Sequence, residues 1–233
     1  MTGYWAVLPA AGAGLRFGGD LPKQYAALAG HTVIEWALAP FLDDPRCQGV
    51  VVALSAQDQL FAALGLQARH GSRLRVVPGG AERCESVLAG LLALPAAPDD
   101  LVMVHDAARP CLTRDERDRL LAVAAQAPAG ALLALPVADT LKRGDADGRV
   151  QATVPRQQLW RAQTPQVFGH ALLLRALRES LARGERPTDE SQAVEALGLQ
   201  PCLVEGQATN LKITRAADLP LAQALLVLAG ECA

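Results

Sequence analysis

The chain has 233 residues, 51% of them hydrophobic, and its 22 basic and 24 acidic side chains leave a formal net charge of −2. That length suits one α/β domain with a full apolar core, and balanced charge without a basic run argues against binding nucleic acid through its phosphates. No apolar stretch approaches the ~18 residues of a membrane span and the N-terminus lacks a charged leader region, so a cytoplasmic protein is expected.

Taken in chain order, residues 4–9 form the first strand-length apolar run, and residues 33–42 the first helical stretch. Strand-like runs follow at 49–54, 74–78, 101–105 and 131–137, with helices expected over 86–94 and 114–126, the latter opening on Thr113 as N-cap. The runs are continuous, not alternating, as in strands buried on both faces of a parallel sheet. Alternating with helices, they predict an α/β fold with a doubly wound, mostly parallel sheet. After Asp139 the rhythm breaks. Residues 138–156 read as a polar hairpin turning around Gly144–Gly148 and projecting from a single domain that spans 1–233. A two-stranded ribbon is marginal alone in water, so this arm is expected to pack on a second copy of the chain. A helix over 171–183, a short helix from Asp189, a strand over 201–204 and a closing helix over 216–229 complete the chain.

Cys47, Cys84, Cys111, Cys202 and Cys232 contain no CxxC pair and read as reduced thiols. His31, His70, His105 and His170 form no cluster, which points to structural or surface roles.

In open α/β sheets the ligand lies beyond the carboxyl ends of the strands. After the first strand come Pro9, Ala10, Ala11, Gly12 and Gly14, whose open backbone amides, with Arg16 and Lys23, suit a triphosphate. This is not a P-loop, since no glycine precedes Lys-Ser or Lys-Thr. Nor is it the dinucleotide fingerprint, because Phe17 occupies the third glycine position and Leu54-Ser55 replace the acidic residue after the second strand. A loop with incidental charges remains the alternative. After the third strand, Gly79 and Gly80 permit close approach to a base or sugar, and Arg83 adds charge at a helix start; a helix capped by Glu82 or Ser86 is the plainer reading. After the fourth strand, Asp106 is placed to hold Mg²⁺ and Arg109 to clamp a phosphate, unless Asp106 merely caps a turn. Asp139-Thr140, Thr153 to Arg156, Gln163 to Pro165, Thr188 to Glu190 and Asn210 to Lys212 suit a phosphorylated polyol, although each alone is an ordinary turn or cap.

In this order the segments LPAAGAGLRFGGDLPKQY, GGAERCESV, VHDAARP, PVADTLKR, LWRAQTPQVF, TDESQAVE and VEGQATNLKIT resemble the 2-C-methyl-D-erythritol 4-phosphate cytidylyltransferase family. The resemblance implies a Rossmann-like nucleotidyltransferase core with a protruding β-arm exchanged in a homodimer. It places CTP over Pro9, Ala10, Ala11, Gly12, Gly14, Gly80, Arg83, Ser86, Asp106 and Ala107, with Mg²⁺ on Asp106. It gives the sugar phosphate to Arg109, Asp139, Thr140, Arg156, Thr164, Thr188 and Lys212, with Thr140 and Arg156 reaching the partner's site. The implied reaction is direct attack of the substrate phosphate on the α-phosphorus of CTP, releasing pyrophosphate, with Arg16, Lys23, Arg156 and Lys212 as the catalytic cations. Leu15, Ala81 and Thr209 depart from positions where family members can carry charge. Two alternatives stand beside this reading: a sister cytidylyltransferase acting on ribitol 5-phosphate or another sugar phosphate, and a non-catalytic dimeric scaffold, which should have lost the cations that are present here.

Overall fold

The computed structural model describes residues 3–12, 17 and 21–230. Strand β1 (Tyr4–Ala10) is followed by a 3-10 turn over Lys23–Tyr25 and a small ribbon of β2 (Ala27–Leu28) and β3 (His31–Thr32). Next come α1 (Val33–Leu42), β4 (Cys47–Leu54), α2 (Leu60–Ala63), α3 (Leu66–His70), β5 (Leu74–Pro78), α4 (Arg83–Ala93), β6 (Leu101–Val104), α5 (Arg114–Ala124) and β7 (Ala131–Pro136). The arm is β8 (Leu141–Gly144) with β9 (Val150–Val154); β10 (Trp160–Gly169), α6 (His170–Ala182), α7 (Glu190–Glu195), β11 (Cys202–Glu205) and α8 (Leu219–Leu228) follow.

Seven strands form the central sheet in the order β11-β7-β10-β6-β1-β4-β5. β1 runs parallel to β4 and β6, β4 to β5, and β7 to β11, whereas β10 is antiparallel to both of its neighbours. The mostly parallel α/β sheet expected from the sequence is therefore present, with one reversed strand that the apolar pattern did not announce. The closing helix also differs from expectation: residues Ala216–Asp218 form a 3-10 turn, and α8 begins only at Leu219, with Pro220 in its first turn.

Alternation along the strands sends side chains to two cores. Tyr4, Ala6, Leu8, Val50, Val52 and Met103 pack with Ile34, Leu38 and Phe41 of α1 and Leu120 of α5. Val7, Val51, Val102 and Val104 face the other way, onto Val87 and Leu91 of α4 and Leu173 and Leu177 of α6. Both faces being apolar is why these strands read as continuous hydrophobic runs. Helix α5 starts where expected: Thr113 Oγ1 accepts the Glu116 amide and Glu116 Oε2 accepts the Thr113 amide, a reciprocal cap.

Among the described residues the arm strands pair only with each other, Leu141 opposite Val154 and Lys142 opposite Thr153. Asp145 Oδ1 holds the turn by accepting the amides of Asp147 and Arg149, and Gly148 takes the left-handed φ of +77° that the turn needs.

Candidate active site

From β1 the chain passes to β4 and β5 on one side, then returns to β6 on the other side of β1. Segments leaving the carboxyl ends of β1 and β6 thus diverge, and such a switch point opens a crevice for ligands. A cavity of about 710 Å³ lies there, walled by Pro9 to Gly12 at the end of β1, Gly80 to Arg83 after β5, Asp106 to Ala108 after β6, and Lys23, Lys212 and Thr214. The β1 and β5 loops meet because Gly79 has no side chain: a Cβ there would stand 2.6 Å from Ala11 Cβ and 2.7 Å from Ser86 Oγ. Ser86 Oγ in turn accepts the Gly80 amide at 3.1 Å, fixing that loop on the first turn of α4.

The cavity's charge centre is Asp106, buried at the end of β6. Its Oδ1 accepts Arg83 Nε at 3.1 Å, its Oδ2 accepts Lys212 Nζ at 2.8 Å, and Arg109 Nε lies 3.6 Å from Oδ2. Burial alone would raise the carboxyl pKa, but Arg83, Lys212 and Arg109 outweigh it and hold Asp106 well below the usual carboxylate range. Asp106 is thus ionised at every working pH, and its carboxylate gathers three cations at the cavity wall. Arg83 is itself bound on its far side, with Nη1 and Nη2 donating to the buried carboxylate of Glu190 at 2.6 and 3.2 Å. Lys23 Nζ donates to the Ile213 carbonyl at 3.1 Å, which brings a fourth cation beside Lys212. More positive than negative charge converges on a space lined by the small residues Ala10, Ala11, Gly12 and Gly80, an arrangement that favours a polyphosphate.

Comparison with known proteins accords with this geometry. The family model IspD, 2-C-methyl-D-erythritol 4-phosphate cytidylyltransferase, matches residues 4–227. The chain belongs to that family. A relative of the same name from Halorhodospira halophila is 54% identical over 230 residues, covering 97% of this chain and 95% of its own. One from Ectopseudomonas mendocina is 52% identical over 221 residues, covering 94% and 93%. The crystal structure of the 2-C-methyl-D-erythritol 4-phosphate cytidylyltransferase from Thermus thermophilus superposes with a TM-score of 0.79 at 36% identity, over 95% of this chain and 98% of that one.

Of the residues that the IspD resemblance nominates, Pro9, Ala10, Ala11, Gly12, Lys23, Gly80, Arg83, Ser86, Asp106, Ala107 and Lys212 line the one cavity. Gly14 and Arg16 lie outside the described residues. Arg109 lies just behind the wall, its Nη1 donating to the Asn210 carbonyl at 2.6 Å. Thr164 is buried between His105 and the Asp106 amide. Thr188 is exposed and donates both its amide and its hydroxyl to Gln192 Oε1 at 2.7 and 3.1 Å. Asp139, Thr140 and Arg156 flank the arm, exposed, and none of them lines the cavity of their own chain.

Among the described residues no three His, Cys, Asp or Glu side chains gather as a metal cage. Mg²⁺ beside a nucleotide asks for less, one or two carboxylates together with phosphate oxygens. Asp106 fits that demand: it is ionised, it faces the cavity, and each oxygen keeps a lone pair beyond its bonds to Arg83 and Lys212.

Four polar residues of the IspD site have partners that the sequence does not show, although Glu190 and Asn210 stand in segments read there as suiting a phosphorylated polyol and His105 reads there as structural or surface. Gln24 is buried and donates to the Ala10 carbonyl at 3.0 Å, anchoring the chain beside Lys23 to the end of β1. Glu190, the partner of Arg83, reads in sequence as an ordinary first-turn acid of α7. Asn210 is fully buried and donates Nδ2 to the Thr164 carbonyl at 2.9 Å. His105 is fully buried, and burial pushes its pKa down to about 4, which keeps the ring neutral.

Proposed function

We propose that this chain transfers the cytidylyl group of CTP to 2-C-methyl-D-erythritol 4-phosphate, forming 4-diphosphocytidyl-2-C-methyl-D-erythritol and pyrophosphate. Membership of the IspD family supports the reaction. The observation that carries the site assignment is the convergence of Lys23, Arg83, Arg109 and Lys212 on the cavity around Asp106.

A phosphate oxygen of the sugar substrate attacks the α-phosphorus of CTP, forming a new P–O bond as the bond to the β-phosphate breaks, and pyrophosphate leaves with the electron pair. No proton has to move and no covalent enzyme intermediate is required. The difficulty is bringing two anions together, so the chain's contribution is position and positive charge. Backbone groups at Ala10 to Gly12 and Gly80 cradle the nucleotide. Arg16 and Lys23 stabilise the charge that builds on the triphosphate in the transition state. Lys212 holds the attacking phosphate together with Arg156 and Thr140, the latter two from the partner's arm, while Arg109, Asp139 and Thr188 complete the sugar-phosphate side; Thr164, buried with its hydroxyl engaged by His105 and the Asp106 amide, serves by holding Asp106. Mg²⁺, when bound to Asp106 and the phosphates, supplies further charge neutralisation. Arg83, with its donors on Asp106 and Glu190, serves the nucleotide side by holding the carboxylate in place.

On this reading residues 1–233 act as one nucleotidyltransferase domain in a cytoplasmic homodimer, with residues 138–156 as the exchanged arm. The self-paired strands β8 and β9 and the exposure of Val150 support that role for the arm. A panel assay of pyrophosphate release tests the function. Release is expected with CTP and 2-C-methyl-D-erythritol 4-phosphate; preference for UTP, or for ribitol 5-phosphate as acceptor, would overturn the assignment.

A further inference from the structure

We propose that His105 is the positioning residue of this site, setting Arg109 through one ring nitrogen and Asp106 through the other. The inference rests on the reading above, in which Asp106 serves the nucleotide side and Arg109 the sugar-phosphate side.

Hydrogen-bond chemistry fixes the direction of each bond. His105 Nε2 lies 3.0 Å from the Arg109 carbonyl, which can only accept, so Nε2 carries the hydrogen. The neutral ring has one hydrogen, and Nδ1 is therefore an acceptor. Thr164 Oγ1, at 3.1 Å, must donate to it. The lone pairs left on that hydroxyl accept the Asp106 amide at 3.0 Å. One side chain thus ties down the main chain of the two residues that carry the site's carboxylate and its buried guanidinium.

The bonds also close a circuit. Thr164 offers its carbonyl to Asn210 Nδ2 at 2.9 Å, and Asn210 offers its carbonyl to Arg109 Nη1 at 2.6 Å. His105, Thr164, Asn210 and Arg109 therefore form a ring of four residues, none more than 9% exposed, linking the end of β6, the middle of β10 and the segment that carries Lys212. The His105 ring is wedged against Phe41 of α1, with centroids 5.4 Å apart, and its amide donates to the Val7 carbonyl at 3.0 Å, so the circuit is anchored to the core on its blind side. A group with no exposure cannot touch substrate, and its influence must pass through Asp106 and Arg109.

Two substitutions cut the two ties separately. The amide of His105→Asn falls near the place of Nδ1 and keeps an acceptor for Thr164 while losing Arg109. The amide of His105→Gln falls near the place of Nε2 and keeps a donor to the Arg109 carbonyl while losing Thr164 and Asp106. Each is compared with a control on the side it disturbs, Arg109→Lys and Asp106→Asn respectively. His105→Asn is expected to raise the KM for the sugar phosphate by roughly tenfold, the size of one lost hydrogen bond, with the KM for CTP little changed, and His105→Gln to do the reverse. Should the controls assign the substrates the other way, the reading of the two sides fails, yet each His105 variant must still copy its own control. Two His105 variants that shift both constants alike, whatever the controls do, overturn the inference. Should neither variant fold, ¹⁵N NMR of the wild-type enzyme decides. A neutral Nε2–H ring with nuclear Overhauser contacts to Phe41 is expected, and an Nδ1–H tautomer would overturn it.

Discussion

Lys23 reaches the cavity from a 3-10 turn, with its Nζ held on the Ile213 carbonyl one residue beyond Lys212. A cation in that position gains most when charge accumulates on the triphosphate, so its removal should act on turnover more than on binding. Lys23→Ala is expected to lower kcat by about 10²–10³-fold, the range for one preorganised transition-state donor. The melting temperature should move little, since the side chain lies on the cavity wall and not in either core. Near-normal kcat in a stopped-time pyrophosphate assay would take Lys23 out of the chemistry. Asp44 is the residue-scale counterpart in stability. It is buried, accepts Tyr4 Oη at 2.9 Å and three nitrogens of Arg46, the backbone amide, Nε and Nη2, and lies 3.2 Å from Arg117 Nε. Burial pushes its pKa up, but the bonds from Arg46 and Tyr4 and the charge of Arg117 win and bring it from 3.8 to about 2. A folded pKa below the unfolded one gives stability that is complete above about pH 4 and disappears as pH falls through 2. The shift corresponds to on the order of 2–3 kcal/mol. Urea unfolding of wild type against Asp44→Asn should show their stability gap narrowing by about 2 kcal/mol between pH 5 and pH 2; a constant gap would remove Asp44 from the acid limb.

At the scale of elements, β1, β4, β5, β6 and β7 were legible because burial on both faces leaves an uninterrupted apolar run. β10 was not. Its buried middle is Gln163, Thr164 and Gln166, polar residues whose side chains are met mainly by partners distant in sequence: Gln207 and Asn210 for the first, His105 for the second, Asp189 and Ser191 for the third. A single sequence shows the polarity and hides the partners. The same limit applies to the site. Asp106, Lys23 and Lys212 announce themselves by charge within a motif, whereas Glu190 acquires its meaning from Arg83, 107 positions away. Packing between elements has its own hidden term at Gly90 of α4. A Cβ built there would stand 2.5 Å from Val7 Cγ1 of β1, so the helix lies on the sheet at a distance only glycine permits. Alanine is the better helix former by about 1 kcal/mol, yet Gly90→Ala should destabilise the fold by about 1–3 kcal/mol through overpacking. Urea midpoints for Gly90→Ala, Val7→Ala and the pair should show the second change recovering part of the first. Strict additivity would mean that α4 shifts freely on β1.

On the scale of the whole molecule the charges are distributed unevenly. A chain with net charge −2 gathers Lys23, Arg83, Arg109 and Lys212 around Asp106 and Glu190, so its overall balance conceals a cationic pocket. The cations proposed for the sugar phosphate are divided differently, because Arg156 lies on an arm whose strands, among the described residues, pair only with each other and which is not among the residues that line the cavity of its own chain. If that arm crosses a two-fold axis, each catalytic site combines one chain's core with the other chain's arm. Arg16→Ala damages the core contribution and Arg156→Ala the arm contribution, and either homodimer should be inactive. In a heterodimer of the two, one site collects both defects and the other collects none. Equal mixing with full subunit exchange yields heterodimers as half of all dimers, each with one intact site, so activity should return to about a quarter of wild type. A site built within one chain predicts no recovery at any mixing ratio, because every chain then carries its own defect. Exchange is verified with differently tagged chains, and activity that stays at the level of the separate variants after verified exchange would return Arg156 to its own chain's site.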